Sequence, residues 1–178
     1  METKFENYAI KFTGLSLGEH HFEYQLDNTF FDGFDYEEFQ ASDIQADVNL
    51  NKTNTQLEFD VHIQGSVLVN CDLTLEPFDL PIENVMSIVV KFGDEFEEVD
   101  EKLVIIPRGE YEFQVEQYIY ECVLLALPSK RVHPGVEDGT LDSEILDKLK
   151  HHSIYNNTNN QEQTTDPRWD KLKKLLKD

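Results

Sequence analysis

The sequence predicts an α+β fold: a curved antiparallel or barrel-like sheet of about five to seven strands, a covering helix, and a short C-terminal helix on a flexible linker. Three observations predict it. Apolar residues alternate with polar ones over most of residues 20–75, the period of strands with one buried face. The breaks between these runs are short, which suits antiparallel neighbours. From Val115 onward the period changes to that of an amphipathic helix.

Taken in order, His20, Phe22, Tyr24 and Leu26 read as the first strand, and Ile44, Ala46, Val48 and Leu50 as the second. Between them FFDGFDYEEF, residues 30–39, fits either a short helix or a loop that caps the sheet. Leu57, Phe59, Val61 and Ile63 form the next run, and Gly65 separates it from Val67, Val69, Cys71, Leu73 and Leu75. LPIENVMSIVVKF, residues 80–92, reads as a long strand bent or bulged near Glu83 and Asn84. DEFEEVDE, residues 94–101, reads as a solvated acidic loop leading to the strand LVIIP at 103–107.

The helix near 115–127 carries Val115, Tyr118, Ile119, Cys122, Val123, Ala126 and Leu127 on one stripe. Pro128 stops it, because proline has no amide proton and clashes with the preceding turn. A second helix is expected at 143–152, completing a β-rich domain over 1–152. Residues 153–165 are mostly Asn, Gln and Thr, too polar to offset their ordering entropy, and read as a disordered linker. DPRWDKLKKLLKD, residues 166–178, reads as an amphipathic basic helix with Asp166 as cap and Pro167 at its first position.

Charge narrows the function. The 178 residues hold 36 acidic and 15 basic side chains, for a net −21. Residues 166–178 contribute +2, so residues 1–165 sum to −23. A field of that sign repels phosphate backbones and attracts basic partners. No apolar run is long enough to span a membrane, and METKFENYAIKF lacks the layout of a secretory signal, so a cytoplasmic protein is expected.

Cys71 and Cys122 are too few for a disulfide framework, and each falls on an apolar stripe, which assigns both to the core. A zinc or redox site at Cys71 would want a second cysteine three residues on, and position 74 is threonine. His20 and His21 sit at adjacent strand positions, so one is expected buried or edge-facing and the other exposed, and His151 and His152 end a polar helix; such clusters read as ordinary residues rather than a metal site. No phosphate-cradling glycine loop, zinc-protease motif or nucleophile elbow occurs in the chain. No catalytic residue, metal, cofactor or small-molecule substrate is therefore expected.

Four segments in order resemble the bacterial YceD family, the large ribosomal RNA subunit accumulation proteins. VNCDLTLEPFDLPI resembles its central motif, commonly Cys-Asp-Arg-Cys-Leu followed by a return strand. EQYIYECVLLALPSKRVHP resembles its acidic helix running into Leu-Pro and a short basic segment. GTLDSEILDKLK resembles the stretch where many members carry another cysteine, and DPRWDKLKKLLKD its C-terminal helix. The resemblance extends over essentially residues 5–178. Here Thr74 replaces the second cysteine, and Leu141 or a neighbour stands where the later one falls, so a metal or redox role is not carried over.

The resemblance implies a role in large-subunit ribosomal RNA accumulation, with ribosomal RNA or a pre-ribosomal particle as partner. The expected contacts are the cations left on an acidic body: Lys130, Arg131 and His133, with Arg168, Trp169, Lys171 and Lys174 on the tail. The charge raises a second possibility, that DEFEEVDE and the acidic stretch near residue 38 hold a basic ribosomal protein. An RNA-acting enzyme is the third, and no constellation of residues supports it.

Overall fold

The computed structural model describes residues 6–137, 139–141 and 145–148. The chain divides into two units, Met1–His133 and Pro134–Asp178. In the first, strands β1 (Ala9–Ile10), β2 (Gly18–Leu26), β3 (Ala41–Lys52), β4 (Gln56–Asn70), β5 (Pro77–Gly93), β6 (Glu97–Asp100), β7 (Leu103–Pro107) and β8 (Phe113–Gln114) are joined by helices α1 (Asn28–Asp32) and α2 (Glu116–Ala126). In the second, α3 covers Pro134–Glu137, and residues 145–148 are helical. The linker and the tail helix expected at 153–165 and 166–178 lie outside the described residues.

The main sheet has six strands in the order β2-β3-β4-β5-β7-β6, and β1 pairs with β8 in a second, two-stranded sheet. The six-stranded sheet is open rather than a barrel, and one of its pairs, β5 with β7, is parallel. That pairing is why residues 94–101 are not the plain loop expected from their charge. The chain leaving β5 must turn twice to come back alongside it in the same direction, and β6 is the intervening strand, antiparallel to β7. All four of its residues are exposed at the sheet margin, where a run of carboxylates is tolerated.

Alternation sorts each strand into a buried and an exposed face. Ile44, Ala46, Val48, Leu50, Leu57, Phe59, Val61, Ile63, Val67, Val69, Ile88 and Val90 are fully buried. Helix α2 lies on this face over β4 and β5 and inserts Ile119, Cys122 and Val123. Aromatic rings from α1 and the segment after it reach the same helix, with Phe34 stacked on Tyr120 at 4.2 Å between ring centroids. FFDGFDYEEF is thus part helix and part loop: α1 ends at Asp32, and Asp35 takes a left-handed backbone, φ 54°.

Gly65 is not a strand break. It sits inside the single strand β4, opposite Ile44, so close to β3 that an added Cβ would collide with the Asp43 carbonyl and lie 2.6 Å from the Ile44 Cα. Nor does β5 bulge at Glu83–Asn84; its pairing with β4 runs in unbroken register from Pro77↔Asn70 to Gln56↔Lys91. The strand period does end earlier than the sequence suggests. β4 stops at Asn70, so Cys71 opens a turn, and Leu75, expected on the buried face, is 71% exposed at φ 61°.

Candidate functional site

Residues 71–76 form a compact turn between β4 and β5, closed by Leu75 N–H to the Cys71 carbonyl and Cys71 N–H to the Glu76 carbonyl, both 2.9 Å. The Cys71 thiol is fully buried inside it. Desolvation pushes the thiol pKa up, but the His133 N–H, the Thr74 hydroxyl and the N–H groups of Leu73 and Thr74 all donate to the sulfur. Together these bonds prevail and hold the pKa below its usual value. Thr74, itself buried, accepts the Glu76 N–H on its hydroxyl at 3.4 Å. Cys122 differs: burial alone pushes its thiol up to about 11.

The segment that holds Lys130, Arg131 and His133 is stapled to this turn. Asp72 N–H donates to the Arg131 carbonyl at 2.8 Å, and Arg131 N–H returns a bond to the Asp72 carboxylate at 2.6 Å. His133 N–H reaches the Cys71 sulfur at 3.3 Å, and its ring meets Phe78 edge-on. The three residues predicted from sequence are therefore brought together, but not as three open cations. The Arg131 guanidinium lies 3.0 Å from Glu38 and 3.8 Å from Asp72, so its charge is shared with two carboxylates. Lys130 is exposed. Arg168, Trp169, Lys171 and Lys174 lie outside the described residues.

A larger feature escaped the sequence reading. The face of the sheet opposite α2 is solvent-exposed and acidic, displaying Glu19 and Glu23 from β2, Asp43 and Asp47 from β3, Glu58 and Asp60 from β4, and Asp79 and Glu83 from β5. Cross-strand register makes it a continuous field, since Glu23 pairs with Asp47. Each residue alone reads as an ordinary solvated position. Only the register shows that they share a surface.

His21 sits within this field. Its Nδ1 lies 2.8 Å from Asn49 Oδ1, and its Nε2 faces Glu23 Oε1 at 3.2 Å and Asp47 Oδ1 at 3.6 Å. Every neighbour is an acceptor. The bond to Asn49 and then that to Glu23 raise the imidazole pKa, because the protonated ring satisfies all of them. The imidazole nitrogen and the two carboxylates lie within 4.8 Å of one another, a spacing able to hold a cation.

Across residues 6–133 there are twenty-six carboxylates and seven lysines or arginines. Lys52, one of the seven, donates to the carbonyls of Phe12 and Leu15 at 2.7 and 2.8 Å. With Arg131 also engaged, this unit is poorly equipped to neutralise a phosphate backbone, since each phosphate contact needs a cation. No helix among the described residues is long and apolar enough to cross a membrane.

A family model described as "Large ribosomal RNA subunit accumulation protein YceD" matches residues 59–176, more than half of the chain. The match begins within β4, so β1 to β3 precede it. No curated protein and no solved structure matches the chain.

Proposed function

The chain belongs to the YceD family, and from that premise we propose that it is a non-catalytic ribosome biogenesis factor that supports large-subunit ribosomal RNA accumulation by binding a pre-ribosomal particle. The family match carries this reading. Work on ribosomal particles is cytoplasmic, in keeping with the expectation from the sequence.

Charge decides how the particle is held. A particle offers RNA phosphates and basic proteins, and the carboxylates of the open sheet face and of β6 favour the proteins. RNA contact falls to the basic segment after α2 and to the tail: exposed Lys130, Arg131 once released from Glu38, His133, and Arg168, Trp169, Lys171 and Lys174. The acidic unit thus acts as a holder for a basic ribosomal protein while the basic residues touch RNA.

Two measurements test this. Depleting the protein should lower large-subunit ribosomal RNA relative to small-subunit RNA; an unchanged ratio would overturn the role. Replacing Glu97, Glu98, Asp100 and Glu101 with their amides should weaken retention on immobilised basic ribosomal proteins at moderate salt, while binding to free ribosomal RNA stays equal or strengthens. The reverse pattern would leave the acidic surface a role in solubility only.

A further inference from the structure

One strand edge inside the sheet is open. β7 pairs with β5 only from Val89↔Leu103 to Gly93↔Pro107, so the preceding part of β5 has β4 on one side and, among the described residues, no strand on the other. The direction of its backbone groups follows from the register. The Val89 N–H points away from β4, because it donates to the Lys102 carbonyl at 2.7 Å. With no bulge in the β4–β5 pairing, the backbone groups of Ser87, Val85 and Glu83 point the same way. The N–H groups of Glu83 and Ser87 have no partner among the described residues. The Val85 N–H is capped by the Asn84 side chain at 2.9 Å, and the Asn84 amide also donates to the Cys122 carbonyl of α2.

The space beside this edge is a groove lined by Asn84 to Ser87, the Glu101–Lys102 turn, and Glu121, Leu124 and Leu125 of α2. Val85 and Leu125 are 60% and 72% exposed, large apolar side chains with no internal role to hold them there. Glu101 and Glu121 stand on the rim, and Lys102 is the cation among the lining residues.

We propose that this groove receives a short extended segment of a basic polypeptide, which adds to the sheet along β5, in line with β7. Three chemistries converge there: unpaired main-chain groups for a strand to bond, apolar side chains to seat alternate residues, and a carboxylate rim to select lysine or arginine. A nucleic acid, by contrast, would bring its own negative charge against the carboxylate rim. Asn84 acts as a guard. It occupies the Val85 N–H until an incoming carbonyl displaces it, which protects the edge from pairing with other chains. The inference names the contact surface for the basic protein partner proposed above and rests on that reading.

The test uses the full chain and a synthetic peptide of about nine residues alternating lysine and valine, with a second peptide N-methylated on alternate residues so that one edge cannot pair. The first peptide should bind and slow amide exchange at Glu83 and Ser87, and N-methylation should weaken it about tenfold or more, the loss of two or more hydrogen bonds. Asn84→Ala should bind the peptide a few-fold more tightly by freeing the Val85 N–H, and Glu101→Lys with Glu121→Lys should weaken it. Exchange read on the unaltered protein keeps the test decisive if a variant folds poorly. Equal affinity for both peptides, protection along β6 instead, protection caused by self-association of the chain, or the same protection caused by an RNA oligonucleotide would each overturn the proposal. Because the assay uses purified protein and no ribosomal component, its failure leaves the ribosomal role to be judged by RNA levels alone.

Discussion

Replacing Cys71 with alanine should cost more than its small side chain suggests. The lost sulfur removes about 1 kcal/mol of apolar burial and contact. Its removal also strands the His133 N–H, which now ends on it at 3.3 Å. A buried donor left unmet costs about 1–3 kcal/mol. The sum is about 3 kcal/mol. Cys71→Ser keeps an acceptor at nearly the same place and should lose about half as much. Urea unfolding followed by far-ultraviolet circular dichroism reads both values from the midpoints at constant slope. A loss below about 0.5 kcal/mol for alanine, or equal losses for serine and alanine, would refute the sulfur as the hydrogen-bonding centre of the turn. So would one zinc ion per chain that is released when Cys71 is changed.

Gly65→Ala should destabilise by about 2–3 kcal/mol, because the new methyl collides with the backbone of β3 rather than with a flexible side chain; a urea midpoint within error of the parent would contradict the strand assignment. Alkaline pH should weaken the fold. Burial pushes Cys122 to about 11 and Tyr24, Tyr36 and Tyr118 to about 12. These acids ionise in the unfolded chain first, so their contribution holds below the ordinary values of 9.0 and 10.0 and is lost as pH rises toward the folded ones; a urea midpoint unchanged above pH 9 would be the contrary result. The His21 imidazole should titrate above 6.5 by NMR, with Asn49→Ala moving it back down. Its raised pKa means its contribution to stability is present below 6.5 and fades as pH rises through the folded value.

The strands from β2 to β5 were legible because one face of each is apolar with a period of two, and α2 because Ile119, Cys122 and Val123 keep the helical spacing. Gly65 misled because glycine marks both turns and close strand approach, and only the partner strand distinguishes them. Leu73 and Leu75 continued the alternation of β4 by coincidence of composition; the turn that begins at Cys71 is set by its own hydrogen bonds, which leave no periodic trace. β6 carries carboxylates on both faces and so has no strand pattern at all. The basic composition of residues 130–133 is visible in the sequence, but the pairing of Arg131 with Glu38, ninety-three residues away, is not. The acidic sheet face and the open β5 edge depend on register between strands, which a single sequence does not display.

We propose above that this acidic protein engages large-subunit precursor particles through their basic protein component. Sedimentation of cell extract through a density gradient, with the tagged protein followed across fractions at low and at high salt, tests it directly. The protein should travel with large-subunit precursors at low salt, stay bound through ribonuclease trimming of the exposed RNA, and leave the particles as salt rises. A protein that stays at the top of the gradient at low salt, or is released by ribonuclease alone, would contradict it.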